Sequence, residues 1–421
     1  MEVVDIHDVL ARKHVNSILV PDFKTLHPCP WAGYLNRAHQ ADCDKSIEKY
    51  VGQVICDLNW LDGEPMQAHP RVVTQKLICE LKEKYDLLIY SAFEPEFRAF
   101  EPKSMEQSCR DPNIEKIREP APEPVPFSKG EDMYRTGLLA IYESFFMNMD
   151  SMLRIAGVDI QDCSNENGSA QLECPLIPTY GIKSCDDYFT FKQAAKEIGA
   201  RHGVGISFMT TPFIEVTSNG CHFNHSLWRN YDGTNALFDS SAPNRLSKMA
   251  HHWIAGLMEH MPAMLAICCP TVNCYRRLHR KLAPDVVNWD IDDRFVSIRV
   301  KNTSEKRTYI ENRLPSSASS PYHVMAATLA AGLDGLERRL EPPSPGLKSS
   351  SECKQLPSNL GEALQALKKD TIFVRKLGTE FVDWYCQVKE RGDLKSLSKV
   401  NIKEILDMDL AHERHEYLVY I

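Results

Sequence analysis

The sequence predicts an α+β fold, and three observations carry that expectation. Helical periodicity recurs in long separated stretches, apolar strand-like runs lie between them, and neither an internal repeat nor regular βαβ spacing orders the two. At 421 residues the chain exceeds one ordinary core, so two or three domains are expected.

Residues 1–68 hold short strand-like stretches, Ser17 to Val20 and Val51 to Leu58, interrupted by Pro21-Asp22 and Asp62-Gly63. No self-contained core is legible there. A helix is predicted over Arg71–Lys84, then a strand over Leu87–Phe93 that ends where Glu94-Pro95-Glu96-Phe97 begins. Glu101 to Phe127, centred on Glu-Pro-Ala-Pro-Glu-Pro-Val-Pro, reads as an extended surface loop. Further helices are predicted over Glu131–Ala156, Asp187–His202, Leu246–Cys269 and Pro321–Leu340, with smaller ones after Pro342-Pro343.

Composition excludes several classes. A 43% apolar, 25% charged chain is globular rather than disordered. A net charge of -8 gives no bulk attraction to nucleic acid or anionic membrane, although His279-Arg280-Lys281 is a local basic patch able to bind phosphate. The longest apolar run, Met261 to Pro270, is too short for a membrane span, and the N-terminus carries no signal pattern, so a cytoplasmic protein is expected. Fourteen cysteines without Cys-x-x-Cys spacing read as reduced, mostly buried thiols.

Four segments carry chemistry. Strand alternation puts Glu94 and Glu96 on one face, where two hard oxygen donors suit magnesium or manganese, although glutamates so spaced are also common on surfaces. Glu166 and Glu173 are separated by Asn167-Gly168-Ser169, a turn signal that would fold them together, or else leave an ordinary solvated hairpin. In Ser218 to Trp228, His222, Asn224 and Ser226 share a strand face; one imidazole among carboxylates fits magnesium or manganese better than zinc, while a lone histidine also fits a core position. Glu311 and Arg313 share a face as well, able to hold a metal and a substrate carboxylate side by side. Arg276, Arg277, Arg294, Arg299 and Lys306 could surround an anionic substrate or a phosphoryl group in transfer, or form a solvated charged face.

Taken in order, Glu94-Pro-Glu-Phe, Glu166 through Glu173, Asn-Gly-Cys-His222 leading to Ser-Leu-Trp, Pro270-Thr-Val-Asn-Cys-Tyr-Arg-Arg-Leu, Ile-Glu311-Asn-Arg-Leu-Pro and Ser320-Pro-Tyr together resemble the signatures of the glutamine synthetase family, type I in particular. The resemblance runs from about Ser17 to the C-terminus. It implies a truncated β-grasp-like N-terminal domain over 1–68 and a catalytic domain over 69–421, whose curved antiparallel sheet is backed by helices. It also implies ATP and two Mg2+ or Mn2+ ions. Glu96, Glu166 and Glu173 would hold the metal near glutamate, and Glu94, His222 and Glu311 the metal near the ATP phosphates. Arg277, Arg294 and Arg313 would act on substrate and phosphoryl group, with Ser226, Arg299 and Lys306 binding the nucleotide. The implied reaction joins glutamate to ammonia or another amine through γ-glutamyl phosphate. The implied assembly is a homo-oligomer of stacked rings, a dodecamer.

The sequence also departs from the family pattern. The match starts near Ser17 to Asp22, so the N-terminal loop aspartate that helps capture ammonium is expected to be missing, and Asn36 to Gly52 reads as an insertion. Leu282 stands where the flap glutamate is expected, Thr211 replaces a lysine before Pro212, Ser218 a glycine, and Asn224 a histidine. The regulatory tyrosine is not found around Lys354 to Pro357. Three readings follow: an ammonia ligase, a ligase for a larger amine, and a lengsin-like structural or chaperone protein without catalysis.

Overall fold

The computed structural model describes residues 17–33, 51–109, 122–128, 133–213, 217–278, 283–347, 353–396 and 407–421. The reading of Asn36 to Gly52 as an insertion therefore lies almost wholly outside the described residues, as do the basic patch at His279 to Lys281 and Leu282. Near the N-terminus come β1 (Ile18–Pro21), β2 (His27–Pro28), β3 (Gly52–Gln53) and β4 (Cys56–Asn59). β1 pairs antiparallel with β4 and β2 with β3, giving two two-stranded ribbons. Such ribbons cannot bury a face by themselves. Trp31, 1% exposed, instead joins the core of the rest of the chain.

Helix α1 (Pro70–Tyr85) starts on proline, whose missing N–H costs nothing in a first turn, and ends at Asp86 in a left-handed conformation. It leads into β5 (Leu87–Phe100), the fourteen-residue strand around which the main sheet is built. That sheet has nine strands, adding β6 (Ser164–Asn165), β7 (Gln171–Glu173), β8 (Thr179–Tyr180), β9 (Gly205–Ser207), β10 (Cys221–Arg229), β11 (Trp289–Ile291), β12 (Ile298–Asn302) and β13 (Thr308–Asn312). The order is β11-β12-β13-β10-β5-β7-β6, with β8 and β9 also on β5. All pairings are antiparallel except β11 with β12. The expected strand end at Phe93 is thus corrected: β5 continues through both glutamates, because His222 on β10 pairs with Glu94 and Glu173 on β7 pairs with Glu96.

Two further expectations are corrected. The stretch after Glu101 does not run on as an extended loop but begins with α2 (Pro102–Ser108), which buries Ser104, Met105 and Ser108. Its Pro102 again sits at the first helical turn, so a proline within the expected extended loop is a helix start. The helix expected over Glu131–Ala156 is broken, within its described part, into α3 (Thr136–Leu139), a 3-10 turn at Ala140–Tyr142 and α4 (Glu143–Ile155). The remaining long helices lie close to where periodicity puts them: α5 (Lys183–Arg201), α6 (Lys248–Cys268) and α7 (Pro321–Arg338), followed by α8 (Leu360–Lys369) and further helices that end with Asp407–Tyr417. Helix and sheet are mixed without βαβ order, an α+β protein. Among the described residues no helix is long and apolar enough to cross a membrane.

Helices α6 and α7 cross at glycine: a Cβ on Gly256 would lie 2.2 Å from the Ala331 carbonyl oxygen, closer than any side chain allows. The pair is further tied by His260, 1% exposed, which donates through Nδ1 to Asp370 at 2.6 Å and through Nε2 to Asp334 at 2.9 Å. Burial pushes this imidazole's pKa down, but the two carboxylates outweigh it and the net shift is upward from 6.5. A raised histidine contributes stability that is complete below 6.5 and lost as pH rises through the folded value. The chain is therefore expected to lose stability as pH rises above 6.5 by an increment that His260→Gln lacks. At pH 6 the two should differ by about 1.5–3 kcal/mol, the scale of hydrogen bonds to charged groups. Denaturant unfolding at several pH values measures this.

Candidate functional site

Register builds the site. On β5, Glu94 and Glu96 share a face; directly across from Glu94 is His222, and β10 carries Asn224 opposite Glu311 of β13. Glu311 in turn faces Arg299 on β12. On the other flank Glu96 faces Glu173 on β7, and the β6–β7 hairpin turns at Asn167 to Ala170 and brings Glu166 back. One sheet face thus presents a row of carboxylates with a single imidazole.

Glu94, His222 and Glu311 offer ligand atoms that all lie within 4.8 Å of one another, the one group of three or more potential metal ligands so placed among the described residues. His222 Nδ1 is 3.2 Å from Glu311 and 3.6 Å from Glu94. Burial and the Arg313 charge push the His222 pKa down to about 3, so the ring is neutral and free to bind a cation through nitrogen. Glu311 is 3% exposed and is flanked by Arg299, at 3.2 Å, and Arg313, in direct contact. Asn224 donates to Glu94 at 2.7 Å.

Glu96 accepts from Gln171 Nε2 at 2.7 Å and from the Gly220 amide at 2.9 Å. Glu166 and Glu173 share a hydrogen bond, and both pKa values are raised, first by burial and then by the Glu96 charge. Three carboxyl groups in one dry corner repel each other, and a divalent cation is the species that relieves such a cluster. In donor type, five carboxylates and one neutral imidazole fit magnesium or manganese.

All six of these residues line one cavity of about 240 Å³, together with Arg277, Arg294, Arg299 and Arg313. Arg277 is 4% exposed and donates to the carbonyls of Leu314 and Arg313, while Arg294 is exposed. Ser226 and Lys306 lie in an adjoining cavity of about 250 Å³ that shares Glu94 and adds Tyr90, Trp228 and Tyr309. Arg276 does not join them, a correction. The 3-10 turn Val272–Arg276 sends the adjacent arginines apart, and Arg276 forks onto Glu413, 0% exposed at the side chain, at 2.7 Å.

Sequence reasoning missed Gln171. It is 2% exposed, donates to Glu96, and accepts from the Gly168 amide at 2.8 Å and the Thr217 hydroxyl at 2.7 Å. Its alternation with Glu173 on β7 was the available signal. Two departures from the family pattern also meet: the hydroxyls of Thr211 and Ser218 are 2.8 Å apart.

Known proteins resemble this chain over most of its length. Residues 67–405 match the family model of the glutamine synthetase catalytic domain. The chain is 31% identical over 353 residues to the glutamine synthetase of Thermus thermophilus, covering 81% of this chain and 75% of that protein. It is 32% identical over 373 residues to the glutamate–methylamine ligase of Methyloversatilis universalis, covering 84% and 79%. It is 28% identical over 389 residues to lengsin of Rattus norvegicus, covering 89% of this chain and 61% of that protein. The solved structure of apo GmaS superposes with a TM-score of 0.77 at 25% identity, covering 96% of this chain and 88% of that one. The chain belongs to the glutamine synthetase family and carries that family's carbon–nitrogen ligase catalytic domain.

Proposed function

We propose that the protein is an ATP-dependent ligase that joins the γ-carboxyl group of glutamate to an amine, with γ-glutamyl phosphate between the two steps. The observation that carries this reading is the convergence of Glu94, Glu96, Glu166, Glu173, His222 and Glu311 with Arg277, Arg294 and Arg313 on one cavity. Two divalent cations, when bound, would screen the negative charge of glutamate and phosphates. Glu96, Glu166 and Glu173 would hold one, and Glu94, His222 and Glu311 the other. Arg277, Arg294 and Arg313 would orient the glutamate carboxylate and stabilise charge on the phosphoryl group. Arg299, Ser226 and Lys306 would hold ATP, with the aromatic rings of the adjoining cavity against its base. Similarity to a glutamate–methylamine ligase and to glutamine synthetases supports glutamate as acceptor of the phosphoryl group, with ammonia or a larger amine as second substrate.

We read residues 1–68 as a β-grasp-like N-terminal domain and 69–421 as the catalytic domain, a division supported by the family match from residue 67. Exposed Leu19, Phe23, Leu26 and Leu61, the second of them 73% exposed, support a homo-oligomer in which this region meets another copy.

The experiment is phosphate release from ATP with magnesium or manganese and glutamate, across ammonia, hydroxylamine and a polyamine panel, with Glu96→Ala as control. Turnover that needs glutamate and vanishes in the control supports a ligase, and the best amine names its substrate. The second reading is a lengsin-like structural or chaperone protein, favoured by the Thr211, Ser218 and Asn224 substitutions and by similarity to rat lengsin. It gains if no amine supports release. A further outcome concerns Gln171: Gln171→Leu should weaken manganese binding about 10–100-fold, as loss of a partner that orients a ligand does. Isothermal titration reads it, and unchanged affinity would count against Glu96 as a ligand.

A further inference from the structure

The β6–β7 hairpin carries a second pair of groups on its other face. Cys163 and Cys174 fall opposite each other by extension of the register Ser164↔Glu173 and Asn165↔Leu172, and their Sγ atoms are 3.0 Å apart. Both are free thiols. The hairpin's hydrogen bonding fixes what kind of pair this is. The Glu166 amide donates to the Gln171 carbonyl, so bonded pairs fall at 166/171 and 164/173, and 163/174 falls at a non-bonded position. There Cα atoms approach to about 4.5 Å, inside the range a disulfide spans. Side chains alternate along each strand, so the two sulfurs lie on the face opposite Glu166 and Glu173.

We propose that Cys163 and Cys174 form a reversible disulfide modification site that staples the base of this hairpin. The oxidant class is a low-molecular-weight disulfide such as oxidised glutathione. Cys163 is half-buried and Cys174 is 0% exposed, which sets the order of steps. The Cys163 sulfur attacks one glutathione sulfur, the glutathione S–S bond breaks, and one reduced glutathione leaves with the Cys163 proton. Cys174 then displaces the second glutathione from Cys163, and that glutathione leaves with the Cys174 proton. Two protein thiols are oxidised to one disulfide while one oxidised glutathione is reduced to two thiols. The short chain between the sulfurs is closed, so the hairpin can no longer splay open without breaking a covalent bond. The consequence for Glu166 and Glu173 as metal ligands rests on the proposed function, but the staple itself does not.

The test uses the full-length chain. It is oxidised with glutathione disulfide, blocked with N-ethylmaleimide in denaturant and digested with trypsin without reduction. Cleavage after Arg154 and Lys183 leaves both cysteines on residues 155–183, a peptide with no other cysteine. The expected peptide carries no maleimide, is about 2 Da lighter than the dithiol form, and takes two labels after dithiothreitol. In parallel, amide hydrogen exchange over residues 164–173 should slow at least about tenfold in the oxidised protein, and should not respond to oxidant in Cys163→Ser. Two maleimide labels after oxidation, a lasting glutathione adduct on Cys163, or exchange unchanged by the disulfide would each overturn the proposal. Neither measurement involves turnover, so absence of ligase activity would leave both results standing.

Discussion

Glu96→Ala is expected to reduce glutamate-dependent phosphate release by about 10²–10³-fold or more, the scale on which losing a charge-stabilising group acts on a transition state. Glu96 stands between the two halves of the site, next to Glu94 along β5 and opposite Glu173 on β7. Removing it withdraws an anionic donor, leaves the Gly220 amide without its acceptor and leaves Gln171 Nε2 only the long contact to the Ser218 carbonyl at 3.4 Å. The orphaned Gly220 donor costs about 1–3 kcal/mol if it stays dry. Against that loss, the Glu96 charge helps to raise the pKa values of Glu166 and Glu173, so its removal relieves repulsion in the metal-free protein. Folding stability should therefore change much less than activity. Glu96→Gln separates the terms, since its amide oxygen keeps an acceptor for Gly220 while the charge is gone. It should be as inactive as Glu96→Ala and melt no lower than wild type, but gain no melting temperature from manganese. Retained turnover within a few-fold in either variant would remove Glu96 from the site.

Much of this site is legible in the sequence because strand alternation assigns faces. Glu94 with Glu96, and His222 with Asn224 and Ser226, need only a period of two, and the Asn-Gly-Ser turn explains how Glu166 returns to Glu173. What alternation cannot supply is the partner strand. That His222 lies across from Glu94, and Glu311 across from Asn224, depends on pairings between segments far apart in the chain, which local pattern does not encode. The same limit explains Arg276. Adjacent arginines read alike, and only the distant Glu413 on the last helix shows which one is neutralised inside the core. Gln171 was missed for a different reason: an uncharged amide gives no electrostatic signal, and its importance lies in satisfying Glu96, Gly168 and Thr217 at once. The α2 helix was hidden because proline content was read as extension, whereas Pro102 occupies the one turn of a helix that tolerates it.

The largest expected effect on stability comes from Arg71→Met. Arg71, 1% exposed, donates to both oxygens of Asp186 at 3.0 Å, to both of Asp57 at 2.9 and 3.0 Å, and to Asp22 at 2.8 Å. Asp22 and Asp57 lie in the N-terminal region and Asp186 in α5, so one guanidinium ties the two parts together, beside the burial of Trp31 in the core and the packing of Trp60 on Trp384. Burial alone would lower the pKa of this group, but the aspartates outweigh it and hold the charge more firmly than usual. Methionine fills most of the volume yet leaves three carboxylates facing each other without a cation. Loss of one partner of a buried ion cluster costs about 3–5 kcal/mol, more than the pairing itself contributes. The denaturant midpoint should fall accordingly, and proteolysis should first release the segment before Pro70. Asp186 keeps one partner, the Tyr322 hydroxyl at 2.7 Å, so α5 and α7 should stay joined. Because this contact ties the ribbons to the catalytic body, the variant also asks whether their placement is needed for turnover. Loss of phosphate release with the catalytic part still folded would make the ribbons part of the active assembly, whereas unchanged turnover would confine Arg71 to stability.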